Sequence, residues 1–203
     1  MNQKHDRLDH EAEETDELDI DSVAGIWHST EYPGAPGLHP LHLVSESPEQ
    51  TSRLGLTLAA LLKPGDIVSL AGDLGAGKTA LTRGIADGLG CQGAVSSPTF
   101  TLVMEHPAGD SGLALYHFDA YRLADSDAFL ELGLAEYFDR NGVCVIEWGS
   151  LIEDILPLKT LKILIRLTAP ETPQQRILTF YWPDHASELS LLERSWQDVG
   201  TGL

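Results

Sequence analysis

Cationic side chains and cysteines are scarce in this chain. Its 203 residues carry 13 Lys and Arg against 31 Asp and Glu, a formal net charge of −18. Proteins grip nucleic acid by neutralising phosphates with clustered Lys and Arg, so this acid excess argues against a surface that holds RNA directly. There are two cysteines, Cys91 and Cys144, with no CxxC pair and no histidine cluster at metal-ligand spacing. That spacing argues against a disulfide scaffold and for reduced thiols in the cytoplasm. A membrane span needs about 20 consecutive apolar residues; the apolar runs here are strand-length, Gly142–Ile146 among them. The opening MNQKHDRLDHEAEETDE has none of the apolar core of a secretory signal. What remains is 42% hydrophobic and 22% charged, the proportions of a water-soluble globule of about one domain.

The chain divides into a tail and a body. Residues 1–21 hold nine acids against two bases, a net of −7, and too few apolar side chains to offset the entropy of ordering. Residues 22–40 follow with Pro33, Pro36, Pro40 and three glycines, which reads as linker. Ile26 and Trp27 form a short apolar island within it. Residues 1–40 are therefore expected to be a disordered acidic tail and linker, and residues 41–203 a single folded domain.

Within the body, residues 41–44 suggest a short strand. Ser47 and Pro48 predict a helix start, with Leu54, Leu58, Leu61 and Leu62 on one face. Residues 67–71 read as a buried strand and 79–89 as a helix closed by Gly90. Strands are expected at 99–104, 113–118, 143–146, 161–167 and 176–182. A helix capped by Asp125 or Ser126, a short helical run at 134–139 and a last helix at 187–196 complete the pattern. Strands alternating with helices indicate a layered α/β domain.

The chemistry is concentrated in Gly72-Asp73-Leu74-Gly75-Ala76-Gly77-Lys78-Thr79, which fits G-x-x-x-x-G-K-[ST] between an apolar strand and a helix. Glycines let successive backbone N–H groups turn inward around phosphate oxygens, and the following helix aims its positive end at the same anion. Lys78 reaches the β- and γ-phosphates, and the Thr79 hydroxyl can ligate Mg²⁺. The implied ligand is a nucleoside triphosphate with Mg²⁺.

A second acid should approach the metal from a neighbouring strand. Glu147 ends the apolar run 143–146 and is assigned to the Mg²⁺ shell, directly or through water. Asp119 ends 113–118 and is assigned to the metal shell or to orienting the attacking water; both placements require strands parallel to the one before the loop. Ser96, Ser97, Pro98 and Thr99 form either a loop that closes over the γ-phosphate or a turn before an edge strand. Arg122 either contacts phosphate, pairs with an acid or is a surface residue. His117 reads as a satisfied core histidine, and Trp148 either covers the nucleotide or packs. No Asn-Lys-x-Asp segment occurs, which disfavours a regulatory GTPase. The body leaves little room for an acceptor domain, so a small-molecule kinase is the cramped alternative to a nucleotide-driven accessory subunit.

Five ordered motifs together resemble the TsaE (YjeE) family of P-loop ATPases in bacterial tRNA threonylcarbamoyladenosine synthesis. They are the loop at 72–79, Ser97-Pro98-Thr99-Phe100-Thr101-Leu102, Tyr116-His117-Phe118-Asp119-Ala120-Tyr121-Arg122-Leu123, Glu131-Leu132-Gly133-Leu134 with Tyr137-Phe138, and Glu147-Trp148. The resemblance covers residues 46–168 and implies a three-layer P-loop NTPase-like domain around a sheet of mixed strand direction. It further implies ATP as nucleotide, hydrolysed productively in a complex with TsaB and TsaD that modifies adenosine 37 of tRNAs reading ANN codons, with tRNA met only through that complex. Carried over by position, Leu74–Thr79 form the phosphate loop, Thr79 and Glu147 contact Mg²⁺, Asp119 is the acid near the phosphates, and Thr51 lies near the nucleotide base. Ala80, Phe100 and Ala120 depart from the family's usual Thr, Tyr and Leu without removing a phosphate or metal ligand.

Overall fold

The computed structural model describes residues 40–109, 112–168 and 174–200. The expected disordered tail, with Ile26 and Trp27, lies outside them. The elements run β1 (Leu41–Ser45), α1 (Pro48–Ala59), β2 (Ile67–Ala71), α2 (Lys78–Gly88), β3 (Val103–His106), β4 (Ala114–Asp119), α3 (Ser126–Glu131), a 3₁₀ helix at Leu134–Asp139, β5 (Gly142–Glu147), a second 3₁₀ segment at Gly149–Ile155, β6 (Leu161–Leu167), β7 (Arg176–Tyr181) and α4 (Ala186–Gly200).

The seven strands form one sheet in the order β1-β7-β6-β2-β5-β4-β3. The inner strands β6, β2, β5 and β4 are mutually parallel. Both margins turn antiparallel, β6 to β7 to β1 on one side and β4 to β3 on the other. Central β2 and β5 are buried along their whole length, which is why both read as unbroken apolar runs rather than as alternating ones. Each strand sends alternate side chains to opposite faces. Val68, Leu70, Val143, Val145, Ile163 and Phe180 meet the leucines of α1, α2 and α4 on one face. Ile67, Phe118, Cys144 and Ile146 meet Phe129 of α3 and Ile152 on the other. The result is the expected three-layer α/β domain with a mixed sheet.

Local signals account for the helix that positions the site. Ser47 caps α1 by accepting a hydrogen bond from the Gln50 N–H, with Pro48 at the first turn. The α1–α2 contact is exceptionally close. A Cβ on Gly84 would stand 1.7 Å from the Ser52 carbonyl oxygen, and one on Gly55 would stand 2.3 Å from that of Leu81. Only glycine on both helices allows this approach.

One strand lies elsewhere than expected. The segment predicted at 99–104 begins only at Val103. Before it, the N–H groups of Thr101 and Leu102 both donate to the Pro98 carbonyl, and Leu102 takes a left-handed φ of 64°. β-propensity in Thr99, Phe100 and Thr101 is overridden because Ser97 and Thr99 are drawn sideways to Asp119. The last helix is also longer at both ends than its apolar pattern implies.

Candidate functional site

The site forms where β2 ends and α2 begins, at the carboxyl edge of the parallel strands, the place where open α/β sheets bind ligands. Gly72 leaves the sheet at φ 138°, and a Cβ there would sit 2.2 Å from the Ile165 carbonyl oxygen of β6. Gly75 and Gly77 are also left-handed, at φ 78° and 114°. Residues 72–77 therefore curl over the end of the sheet, and the first turn of α2 presents its free N–H groups to the enclosed space.

That space is a cavity of about 370 Å³ bounded by Leu74, Gly75, Gly77, Lys78, Thr79 and Ala80 on one side and by Ser97, Thr99, Asp119, Tyr121, Glu147 and Trp148 on the other. Its size suits a small-molecule ligand. Asp73 contributes through its main chain, whose carbonyl accepts from the Ala76 N–H and from Lys78 Nζ. Ala76 is buried under the loop.

Lys78 is only 5% exposed. Its Nζ donates to the carbonyls of Gly72 and Asp73 at 2.6 and 2.9 Å and lies 3.8 Å over the centre of the Trp148 ring. Burial pulls its ammonium down to about 8, against the opposing pull of Glu147, Asp119 and Asp73. No carboxylate among the described residues is bonded to this cation; it rests on neutral carbonyls and a π face, partners that a phosphate oxygen would outcompete.

The two acids come from neighbouring parallel strands in direct register, Asp119 of β4 beside Glu147 of β5. Glu147 Oε2 accepts from the Thr79 hydroxyl at 3.1 Å, so the paired oxygens predicted for Mg²⁺ do meet. Asp119 has a different set of partners. Its Oδ2 accepts from both Ser97 and Thr99 hydroxyls at 2.7 Å, and its Oδ1 from the Tyr121 N–H at 3.0 Å. A carboxylate offers about four acceptor positions, so donors among the described residues leave one on Oδ1 unused. The loop at 97–99 is thus both a turn before an edge strand and a wall of the site.

Thr51 is not among the residues lining the cavity. It is buried, its hydroxyl bonded to Ser45 Oγ and the Ser47 carbonyl, with its methyl backing onto Gly77. Arg122 stacks on exposed Phe100, 4.5 Å from the ring centre. Trp148 packs on Tyr121 as well as under Lys78, and it does so at a left-handed φ of 59°, a strain of the kind that gathers at ligand sites.

The sequence reading missed the part played by His117. It is wholly buried, as expected of a core residue, but its Nε2–H donates to Glu147 Oε1 at 2.9 Å while Nδ1 has no partner among the described residues. The signal was available: His117 and Asp119 are two apart on one strand and so share a face with Glu147 beside them.

Comparison with known proteins identifies the family. A protein-family model described as "Threonylcarbamoyl adenosine biosynthesis protein TsaE" matches residues 45–177, beyond the 46–168 span of the motifs. The chain is 43% identical over 152 residues to the tRNA threonylcarbamoyladenosine biosynthesis protein TsaE of Bacillus subtilis, covering 75% of this chain and 92% of that protein. It is 43% identical over 129 residues to the protein of the same name in Treponema pallidum, covering 64% and 93%. The crystal structure of Bacillus subtilis YdiB superposes with a TM-score of 0.63 at 36% identity, over 82% of this chain and 99% of that one. With a family model over residues 45–177 and a relative 43% identical over 92% of its length, the chain belongs to the TsaE family.

Proposed function

We propose that this protein is the Mg²⁺-dependent, ATP-hydrolysing subunit of the assembly that forms N6-threonylcarbamoyladenosine at position 37 of tRNAs reading ANN codons. It acts with TsaB and TsaD, meets tRNA only through them, and works in the cytoplasm. The names of its relatives support the pathway. The observation that carries the chemistry is the meeting of Thr79 Oγ1 and Glu147 Oε2 at 3.1 Å, directly beside the loop and Lys78.

The donor set fits the expected ligands. Two hard oxygens, one neutral and one carboxylate, suit Mg²⁺, which favours one or two carboxylates together with substrate phosphates. When bound, Mg²⁺ supplies neutralisation of charge on the β- and γ-phosphates. The N–H groups of the loop and of the first turn of α2 bind and orient phosphate oxygens. Lys78 exchanges the Gly72 and Asp73 carbonyls for phosphate. Asp119 holds Ser97 and Thr99 at the cavity wall and uses its remaining Oδ1 position to orient a water for attack.

The deciding experiment measures phosphate release from labelled ATP by the full chain, alone and with TsaB, TsaD and tRNA. Slow hydrolysis that the partners accelerate supports the proposal. Rates indifferent to the partners would overturn the subunit role, and label passing to a small acceptor instead of water would favour a kinase.

A further inference from the structure

Arg176 opens β7, the strand farthest in sequence from the phosphate loop, and is 6% exposed. Sheet register pairs it with Ser45 of β1 and Leu167 of β6. Its guanidinium nevertheless reaches the loop: Nε donates to the Ala76 carbonyl at 3.2 Å, and a terminal nitrogen donates to the Gln174 carbonyl. Nε also lies 3.6 Å from the point where a Cβ on Gly77 would stand. The motif readings of the site leave this buried cation without a task.

The peptide joining Ala76 to Gly77 is a planar trans unit, so its carbonyl and its N–H point in opposite directions. Binding the Ala76 carbonyl to Arg176 therefore turns the Gly77 N–H the other way, towards the cavity that Gly77 lines. Such fixing is needed here. Gly75 and Gly77 permit almost any φ, and an unconstrained loop could rotate this peptide and present a carbonyl to the phosphates. A buried carbonyl also requires a donor, and a charged donor makes the stronger bond.

Resting on the reading that the loop binds ATP, we infer that Arg176 is a positioning residue for phosphate binding, which locks the Ala76–Gly77 peptide with its N–H facing the ligand. It touches no phosphate itself.

Arg176→Met keeps the apolar stem and removes the donors. Leu178→Ala, on the same strand and wholly buried, supplies a comparable loss of folding stability. In the full chain with Mg²⁺ and a non-hydrolysable ATP analogue, Arg176→Met is expected to weaken binding at least tenfold, with the loss in hydrolysis falling on KM rather than kcat. Leu178→Ala should lower Tm while leaving Kd within about twofold. Without nucleotide, the Ala76 amide, bonded to the Asp73 carbonyl in the same loop, should exchange hydrogen faster in Arg176→Met than in Leu178→Ala. Should Arg176→Met fail to fold, Arg176→Lys takes its place, with a smaller loss in the same direction. Wild-type affinity, equal losses in the two variants at equal Tm, or unchanged Ala76 exchange would each overturn the inference. A wild-type chain that does not bind the analogue would instead overturn the reading of the loop, and the exchange comparison would still judge Arg176.

Discussion

Glu147 is held at both oxygens, Oε2 by the Thr79 hydroxyl at 3.1 Å and Oε1 by His117 Nε2–H at 2.9 Å. The carboxylate is aimed by α2 on one side and by β4 on the other. Partners of this kind orient a metal ligand, and their loss lowers metal affinity or activity by about 10–100-fold. His117→Ala should therefore raise the Mg²⁺ concentration for half-maximal hydrolysis by that order, while affinity for ATP in the absence of Mg²⁺ changes little. Glu147→Ala should abolish the Mg²⁺ response altogether. Metal titration of the hydrolysis rate checks both.

Lys78→Ala should weaken ATP binding by about 10–100-fold, the loss of one or two charge-assisted hydrogen bonds worth about 1.5–3 kcal/mol. Calorimetry showing unchanged affinity would contradict the role given to it.

The same lysine should leave a pH signature on stability. Its folded value of about 8 lies below the ordinary 10.5, so between those two values the unfolded chain binds more protons than the native one. Stability from this group then rises with pH across about 8 to 10.5, as the buried charge is released. Compared with Lys78→Met, the wild-type Tm should gain over that window, and parallel pH profiles would refute the burial cost. Lys162 is also held near 8 by burial, which makes the comparison with the variant necessary.

Asp119→Asn should reduce hydrolysis more than binding. It replaces an acceptor of two hydroxyls with a group that has donors of its own, so the 97–99 wall should loosen. Faster amide exchange over residues 97–102 would accompany the lower rate. Equal losses of binding and turnover would move Asp119 from chemistry to structure.

Gly84→Ala places a Cβ against the Ser52 carbonyl, where 1.7 Å is available. Overpacking of this kind costs about 1–3 kcal/mol, a fall of about 2–12 °C in Tm for a domain of this size. Thermal unfolding that is unchanged would mean that α1 and α2 separate easily.

Legibility in the sequence tracked how local each cause is. The cap at Ser47 and Pro48 and the run Ile67–Ala71 bounded by Gly72 carry their signals within a few residues, and their boundaries match closely. The segment 99–104 was misread because its deciding partner, Asp119, is some twenty residues away and pulls two hydroxyls out of strand geometry. That Lys78, Thr79 and Glu147 meet at one cavity was legible because a loop motif and the end of an apolar strand fix their places locally. His117 was read as core because burial and service to a carboxylate look alike until the strands are aligned.

Residues 72–79 and the apolar strands that end at Gly72 and Glu147 state their chemistry in one dimension, because a phosphate cradle is built from consecutive amides. The rest is a matter of pairing across the sheet. That Asp119 stands beside Glu147, that His117 faces the same carboxylate, and that Arg176 reaches Ala76 from the far margin all follow from which strands become neighbours. Burial of two faces of one mixed sheet sets that pairing, and no short stretch of chain contains it.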